Sequence, residues 1–253
     1  MRVAVFSDTH GNSIALDAVL ADVERVGGVE AYWFVGDAAA LGFDPVGTIQ
    51  RLAGLPGLVA VRGNTDRDVV EDTRDVDAEG LEFAATDPER ARRTLAMLRN
   101  FAWTRGMVTA GGGFDWLAAL PVEERTALPD GTRVLLVHAA PGTDDGPGIR
   151  EEQTDEELAD ELSGADADLV IVGHTHKPLD RTVGGVRAWN LGSVSLPQTD
   201  DSRAMWTLLV SDNRGYRLEH HVVAYDSAAM LLRLEALRVP AESTIRSFWE
   251  HGD

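Results

Sequence analysis

The sequence predicts an α/β fold built on a largely parallel sheet, and three observations carry that expectation. Strand-like and helix-like patterns alternate from residue 2 to 61, as they do in parallel sheets. A cluster rich in His, Asp or Asn follows directly on each apolar strand that carries one of the motifs described below. The chain has 253 residues and is 44% hydrophobic, which is enough to bury a full core and suits one large domain, 1–253, carrying insertions.

In chain order, Arg2 to Phe6 reads as a buried strand. Ile14 to Val26 follows as a helix, with Leu16, Val19, Leu20, Val23 and Val26 at helical spacing before Gly27-Gly28 ends it. Tyr32 to Val35 is a second short strand, Pro45 to Leu55 a helix and Leu58 to Val61 a third strand. From about residue 66 to 130 the pattern turns charged and helix-favouring, with Pro88 to Asn100 helical, a break at Gly111-Gly112-Gly113 and a short helix from Phe114 to Leu120. This stretch is expected to be a helical insertion. Arg133 to Val137 is again a strand, Glu151 to Leu162 an acidic helix and Leu169 to Val172 a strand. Gly184-Gly185 marks a tight hairpin within Thr182 to Trp189, and strands near Ala204 to Val210 and Tyr216 to Ala224 suggest a second sheet. Asp226 is placed to cap a helical tail, about 226–253, with Met230, Leu231, Leu234 and Leu237 on one face. That tail either covers core surface or forms a homo-oligomer contact.

Composition narrows the function classes. A formal charge of −19 repels nucleic-acid backbones, so stable nucleic-acid binding is not expected. Met1-Arg2 runs straight into Val-Ala-Val-Phe, too short an apolar region for a signal peptide, and no later run approaches membrane-spanning length. A cytoplasmic protein without membrane contact is the expectation. With no cysteine, any metal must be held by oxygen and imidazole ligands.

Such ligands are present. Ser7-Asp8-Thr9-His10-Gly11-Asn12 follows the first strand, Gly36-Asp37 the second, Arg62-Gly63-Asn64 the third, His138 the next and Gly173-His174-Thr175-His176 the strand after that. Loops at strand C-termini form the ligand crevice of α/β sheets. Residues two apart on an extended loop point the same way, so Asp8/His10 and His174/His176 are each expected to present paired ligands. Seven groups, two carboxylates, four imidazoles and an amide, exceed the needs of one ion and suit two sharing a bridging carboxylate and water. Two such ions, about 3.5–4 Å apart, activate water for in-line displacement at phosphorus, with the bridging hydroxide as nucleophile. Mixed imidazole and carboxylate donors point to Mn²⁺ or a similar first-row ion, with Fe, Zn, Ni, Co and Mg as alternatives.

The motif series D-x-H, G-D, G-N, H and G-H-x-H, here in order and complete for ligands, resembles that of the calcineurin-like metallophosphoesterases from residue 1 to about 200. The resemblance implies a four-layer αββα sandwich of two mixed sheets flanked by helices. It implies that Asp8, His10 and His176 bind one metal and Asn64, His138 and His174 the other, with Asp37 bridging. Asn190-Leu191-Gly192-Ser193 is similar to the family's N-P-G-S loop. Trp103-Thr104, Leu120-Pro121 and His138-Ala-Ala-Pro141 look like the small bacterial and archaeal branch of predicted phosphodiesterases.

Departures from the pattern refine the expectation. Many members carry a histidine after G-N that is taken to protonate the leaving group, and here that position is Thr65. Losing a positioned acid costs about 10²–10⁴-fold, so leaving groups that depart unprotonated are favoured: aryl oxides, nucleotides, the phosphates of anhydrides. Gln198 stands where relatives often have Arg, and Leu191 replaces the loop proline. Arg62 is either a substrate phosphate contact or the partner of a neighbouring carboxylate, Asn12 is a candidate substrate contact, Trp103 a candidate pocket wall, and Asp66 a cap for the turn after Asn64. His220, His221 and His251 fit no cluster and are expected to be structural. The expected activity is a phosphodiesterase or nucleotide phosphohydrolase acting on a small phosphorylated substrate. The alternatives are a protein or small-molecule phosphomonoesterase and, from another class, a catalytically idle metal-binding scaffold.

Overall fold

The computed structural model describes residues 1–71 and 85–249. Among the described residues, ten strands form two five-stranded sheets. In the first, β1 (Arg2–Phe6), β2 (Ala31–Val35) and β3 (Leu58–Val61) run parallel, and β9 (Ala204–Asp212) and β10 (Gly215–Val223) extend the free side of β1 antiparallel. In the second, β5 (Arg133–Val137), β6 (Leu169–Val172) and β8 (Val186–Asn190) run parallel, flanked by antiparallel edges β4 (Glu123–Ala127) and β7 (Leu179–Val183).

Strand alternation builds the layers. In β1, Ala4 and Phe6 face α1 (Ser13–Arg25), α2 (Pro45–Ala53) and the long helix α4 (Pro88–Ala110), within a core that also holds α7 (Ser227–Ala236) and α8 (Glu242–Arg246). Val3 and Val5 point the other way, onto Leu136, Ile171 and Trp189 of the second sheet. The far face of that sheet, Leu135, Val137, Val170 and Val172, is covered by Leu158 and Leu162 of α6 (Asp155–Leu162). Strands buried on both faces read as continuous apolar runs, and the result is the four-layer αββα sandwich of two mixed sheets.

Three expectations are corrected. The strands from 204 and 215 do not make a second sheet: they complete the first, because β1 has an open edge opposite β2, while the Gly184-Gly185 hairpin joins the second sheet beside β6. Within the stretch expected to be helical to about 130, α3 (Asn64–Glu71), α4 and α5 (Phe114–Ala118) are followed by strand β4. Its Glu-Glu-Arg-Thr-Ala sequence is mostly exposed and lacks the apolar alternation that marks strands, as suits a charged sheet edge. The acidic helix starts at Asp155 rather than Glu151, since Thr154 and Glu157 form a reciprocal capping box. Part of the insertion (72–84), the last residues of the tail and His251 lie outside the described residues. Among the described residues no helix is long and apolar enough to cross a membrane.

Trp206 of β9 is fully buried, stacks on His221 with centroids 4.3 Å apart, and donates its indole N–H to Asp22 of α1 at 3.0 Å. His220, its neighbour on β10, is exposed, as alternation along a strand requires. Asp22→Ala strands the indole N–H and should lower unfolding stability by about 1–3 kcal/mol in urea titration. Asp22→Asn, whose amide oxygen still accepts, should lose less. Equal losses in both would assign the contribution to the Asp22–Arg25 ion pair instead.

Candidate metal centre

The polar clusters meet where the two sheets present their C-terminal edges. Asp8, His10, Asp37, His174 and His176 all adopt left-handed backbone, with φ of 59°, 46°, 63°, 68° and 59°. Each such residue costs about 1–3 kcal/mol unless its surroundings fix it. Here the peptide groups are tied across loops: Asp8 N–H donates to Gly36 O at 2.9 Å, His10 N–H to Asp37 O at 3.0 Å, Ser195 N–H to Asp8 O at 3.0 Å and Gly173 N–H to His138 O at 3.0 Å. Glycine is required for the close approach: a Cβ on Gly63 would lie 2.0 Å from Asp37 Oδ1, and one on Gly173 2.5 Å from Asp8 Oδ2. The loops are therefore coiled, not extended, and residues two apart need not point together. Asp8 and His10 converge, but His176 turns to Asp8 while His174 turns to Asn64.

Each of the four imidazoles has one ring nitrogen against a backbone carbonyl. His10 Nδ1 lies 3.1 Å from Ala40 O, His138 Nδ1 2.7 Å from Val35 O, His176 Nδ1 2.5 Å from Leu196 O and His174 Nε2 2.8 Å from Gly146 O. A carbonyl only accepts, so these nitrogens carry the protons and the opposite ones present lone pairs when the rings are neutral. Those lone pairs face other acceptors. His10 Nε2 lies 3.3 Å from His176 Nε2, His176 Nε2 3.1 Å from Asp8 Oδ1, and His174 Nδ1 3.1 Å from Asn64 Oδ1. Asp37 Oδ2 sits 3.6 Å from His10 Nε2 and 3.5 Å from His138 Nε2. Asp8 Oδ1 and His138 Nε2 are buried without any hydrogen-bond partner.

Converging buried acceptors are stable only around a cation, and this donor set fits divalent ions. Asp8, His10 and His176 form one group of ligand atoms within 4.8 Å of one another, and Asp8, Asp37 and His138 a second. The electrostatics agree. Burial pulls the His138 imidazole down, but Asp37 and Asp8 outweigh it and hold its pKa at about 10, so a proton there does the neutralising that a metal would do. Burial pushes Asp37 up, yet His138 and His10 hold it below the usual carboxylate range. His10, dominated by burial, falls to about 4.

Other residues differ from their expected roles. Asp66 does more than cap a turn: its buried carboxylate accepts from the amides of Asp37 (2.8 Å), Ala38 (2.9 Å) and Gly63 (3.0 Å), shaping the Asp37 loop. Burial, then the Asp37 charge, raise its pKa to about 7. Its position two residues after Asn64, at the start of α3, was the available signal. Arg62 donates to Asp144 at 2.6 Å and Glu71 at 3.3 Å, so its guanidinium is engaged by carboxylates. Asn12 caps α1 through Ala15 N–H and donates to Ser195 Oγ. Trp103 packs against the helix-side core. Asn190 donates to Gly173 O at 2.8 Å and Thr175 Oγ1 at 2.9 Å, bracing the loop that bears His174 and His176.

Comparison with known proteins bears on the family and the fold. The model of the calcineurin-like phosphoesterase superfamily domain matches residues 1–213. A metallophosphoesterase from Sphaerobacter thermophilus is similar in structure with TM-score 0.75 and 23% identity, over 100% of this chain and 99% of that one. A hypothetical protein from Pyrococcus horikoshii OT3 has TM-score 0.80 and 19% identity, over 100% and 98%. No curated protein matches the sequence significantly.

Asp66→Ala removes the acceptor that fixes the Asp37 loop and should weaken metal binding about 10–100-fold, the usual effect of losing a group that orients a ligand. Calorimetric Mn²⁺ titration checks this, with His220→Ala as a control expected to match the unmodified protein. Native affinity in Asp66→Ala would show that Asp37 is held without it.

Proposed function

This chain belongs to the calcineurin-like phosphoesterase superfamily and is a metal-dependent hydrolase of phosphoester bonds, and we propose that it acts on phosphodiesters or nucleotides with two divalent ions, Mn²⁺ foremost. Asp8, His10 and His176 would hold one ion and Asn64, His138 and His174 the other, with Asp37 between them. When bound, the ions supply Lewis acidity toward the phosphoryl group and lower the pKa of water to about 7. The protein's part is to fix the lone pairs: the four carbonyl–imidazole bonds set each ring, and the Thr65 amide, donating to Asp37 Oδ1 at 2.9 Å, sets the carboxylate.

Thr65 carries the substrate reading. Its hydroxyl is buried without a hydrogen-bond partner, and an aliphatic hydroxyl is far too weak an acid to protonate a leaving oxygen near neutral pH. Asp66 titrates in a suitable range, at about 7, but its oxygens are turned onto the amides of Asp37, Ala38 and Gly63. Leaving groups must therefore depart largely unprotonated, which favours aryl oxides, nucleotides and anhydride phosphates over alkyl phosphomonoesters. A cavity of about 590 Å³ lies next to Thr175, the residue between His174 and His176; Lys177 and Gln198 line it together with Glu151, Glu152 and Glu157, and none of the expected metal ligands is in its wall. An idle scaffold is disfavoured, because holding these buried acceptors together without a cation carries a large desolvation cost.

The test is Mn²⁺-supported hydrolysis of an aryl phosphodiester against the matching monoester, with Asp37→Ala as the blank. Diester turnover at or above monoester turnover, absent from the variant, is expected. Monoester dominance would shift the assignment to a phosphatase, and full activity in Asp37→Ala would refute the site. Across aryl diesters of rising phenol pKa, turnover should fall steeply. A flat dependence would mean that an acid assists departure after all.

A further inference from the structure

The loop after β5 runs Thr143-Asp144-Asp145-Gly146-Pro147-Gly148 and carries no expected metal ligand. At its centre the Asp144 side chain is buried, a position a carboxylate occupies only when its charge is matched. It is matched twice: Arg62 Nε donates to Oδ2 at 2.6 Å and Arg67 to Oδ1. Arg67 reaches on to Asp145 at 2.7 Å, and Asp145 Oδ1 accepts from Gly146 N–H at 2.7 Å. The carbonyl of that same Gly146 accepts from His174 Nε2 at 2.8 Å, and Gly148 lies against the ring, so close that a Cβ there would be 2.8 Å from His174 Cδ2.

His174 is the one imidazole of the four whose Nδ1, not Nε2, faces its neighbours in the centre, 3.1 Å from Asn64 Oδ1. That inversion depends on Gly146: without an acceptor at Nε2, neither the tautomer nor the rotation of the ring is fixed. The two arginines that grip the loop also flank Asn64, one on each side along the chain, at the β3–α3 junction. One junction thus carries a proposed ligand and the clamp that orients its companion.

We propose that Asp144, held by Arg62 and Arg67, is a positioning residue for the ion bound by His174 and Asn64, acting through the Gly146 carbonyl. This rests on the two-ion reading above. It assigns the paired arginines to metal affinity at one position of the centre rather than to substrate phosphate. His10 and His176 would be oriented by Ala40 and Leu196 instead, and the one link from His174 to their companion Asp8 runs through the His174 backbone N–H, not its ring, so the effect falls on one of the two positions.

The experiment is calorimetric Mn²⁺ titration of the full chain, with electron paramagnetic resonance of the loaded protein. The unmodified protein should take two ions and give a spin-coupled spectrum. Asp144→Asn should keep the affinity of the first ion, weaken the second about 10–100-fold and give the spectrum of isolated Mn²⁺ at the same loading. Arg62→Gln, which leaves Asp144 paired to Arg67, provides a milder variant that should shift binding in the same direction if Asp144→Asn does not fold. Asp168→Asn, which breaks the Arg133–Asp168 ion pair at the opposite end of β5, should leave both ions and the coupling unchanged. Parallel weakening of both ions, or two ions at native affinity in both clamp variants, would overturn the proposal while leaving the two-ion centre intact. Fewer than two ions in the unmodified protein would overturn both.

Discussion

The bond from a backbone carbonyl to one nitrogen of each imidazole is the constraint on which the centre depends. Val35 ends β2, Ala40 lies in the connection that follows it, and Gly146 and Leu196 lie in the loops after β5 and β8; each carbonyl fixes one ring by occupying its proton-bearing side. Lone pairs are then forced inward together, onto carboxylates and onto each other. Nothing in the core could tolerate such a set unless a positive charge completed it. The carbonyls can be placed so only because both sheets end their parallel strands at one edge, which is why the sandwich and the chemistry cannot be separated.

Backbone strain follows from the same demand. To bring Asp8, His10, Asp37, His174 and His176 within reach of one another, the chain must turn sharply as it leaves each strand, and left-handed φ values at these five residues are the result. The strain is distributed across bonds within and between the sheets, such as Gly173 N–H to His138 O among the second sheet's loops and His174 N–H to Asp8 Oδ2 from one sheet to the other. Asp66 serves as a hub beneath them, gathering three amides from two loops.

What the sequence revealed was what is local. The five motif-bearing strands, their polar ends and the Gly-Gly hairpin are short-range patterns and are found where the apolar runs place them. Sheet membership is not local: nothing in the apolar pattern of residues 204–212 says that its partner is residues 2–5. Strand β4 escaped because a charged edge strand has no alternating signature. Arg62 was ambiguous because its carboxylate lies 82 residues further on, and Asp66 was undervalued because the groups it binds are amides, which every residue possesses. The helix start at Asp155, by contrast, was written in Thr154 and Glu157 and could have been read.

The pairing of β1 with β9 also sets an order of assembly. As the chain leaves the ribosome, β1, β2 and β3 can pair early, but Arg2 must wait for Val210 before its other side is covered. Until then the nascent sheet has an unprotected edge, and its helix-side core lacks the Trp206 indole. The Asp8 loop likewise waits for the Ser195 amide. Contacts this distant in sequence close slowly, so the metal centre is a late product of synthesis, completed only after most of the polypeptide has emerged.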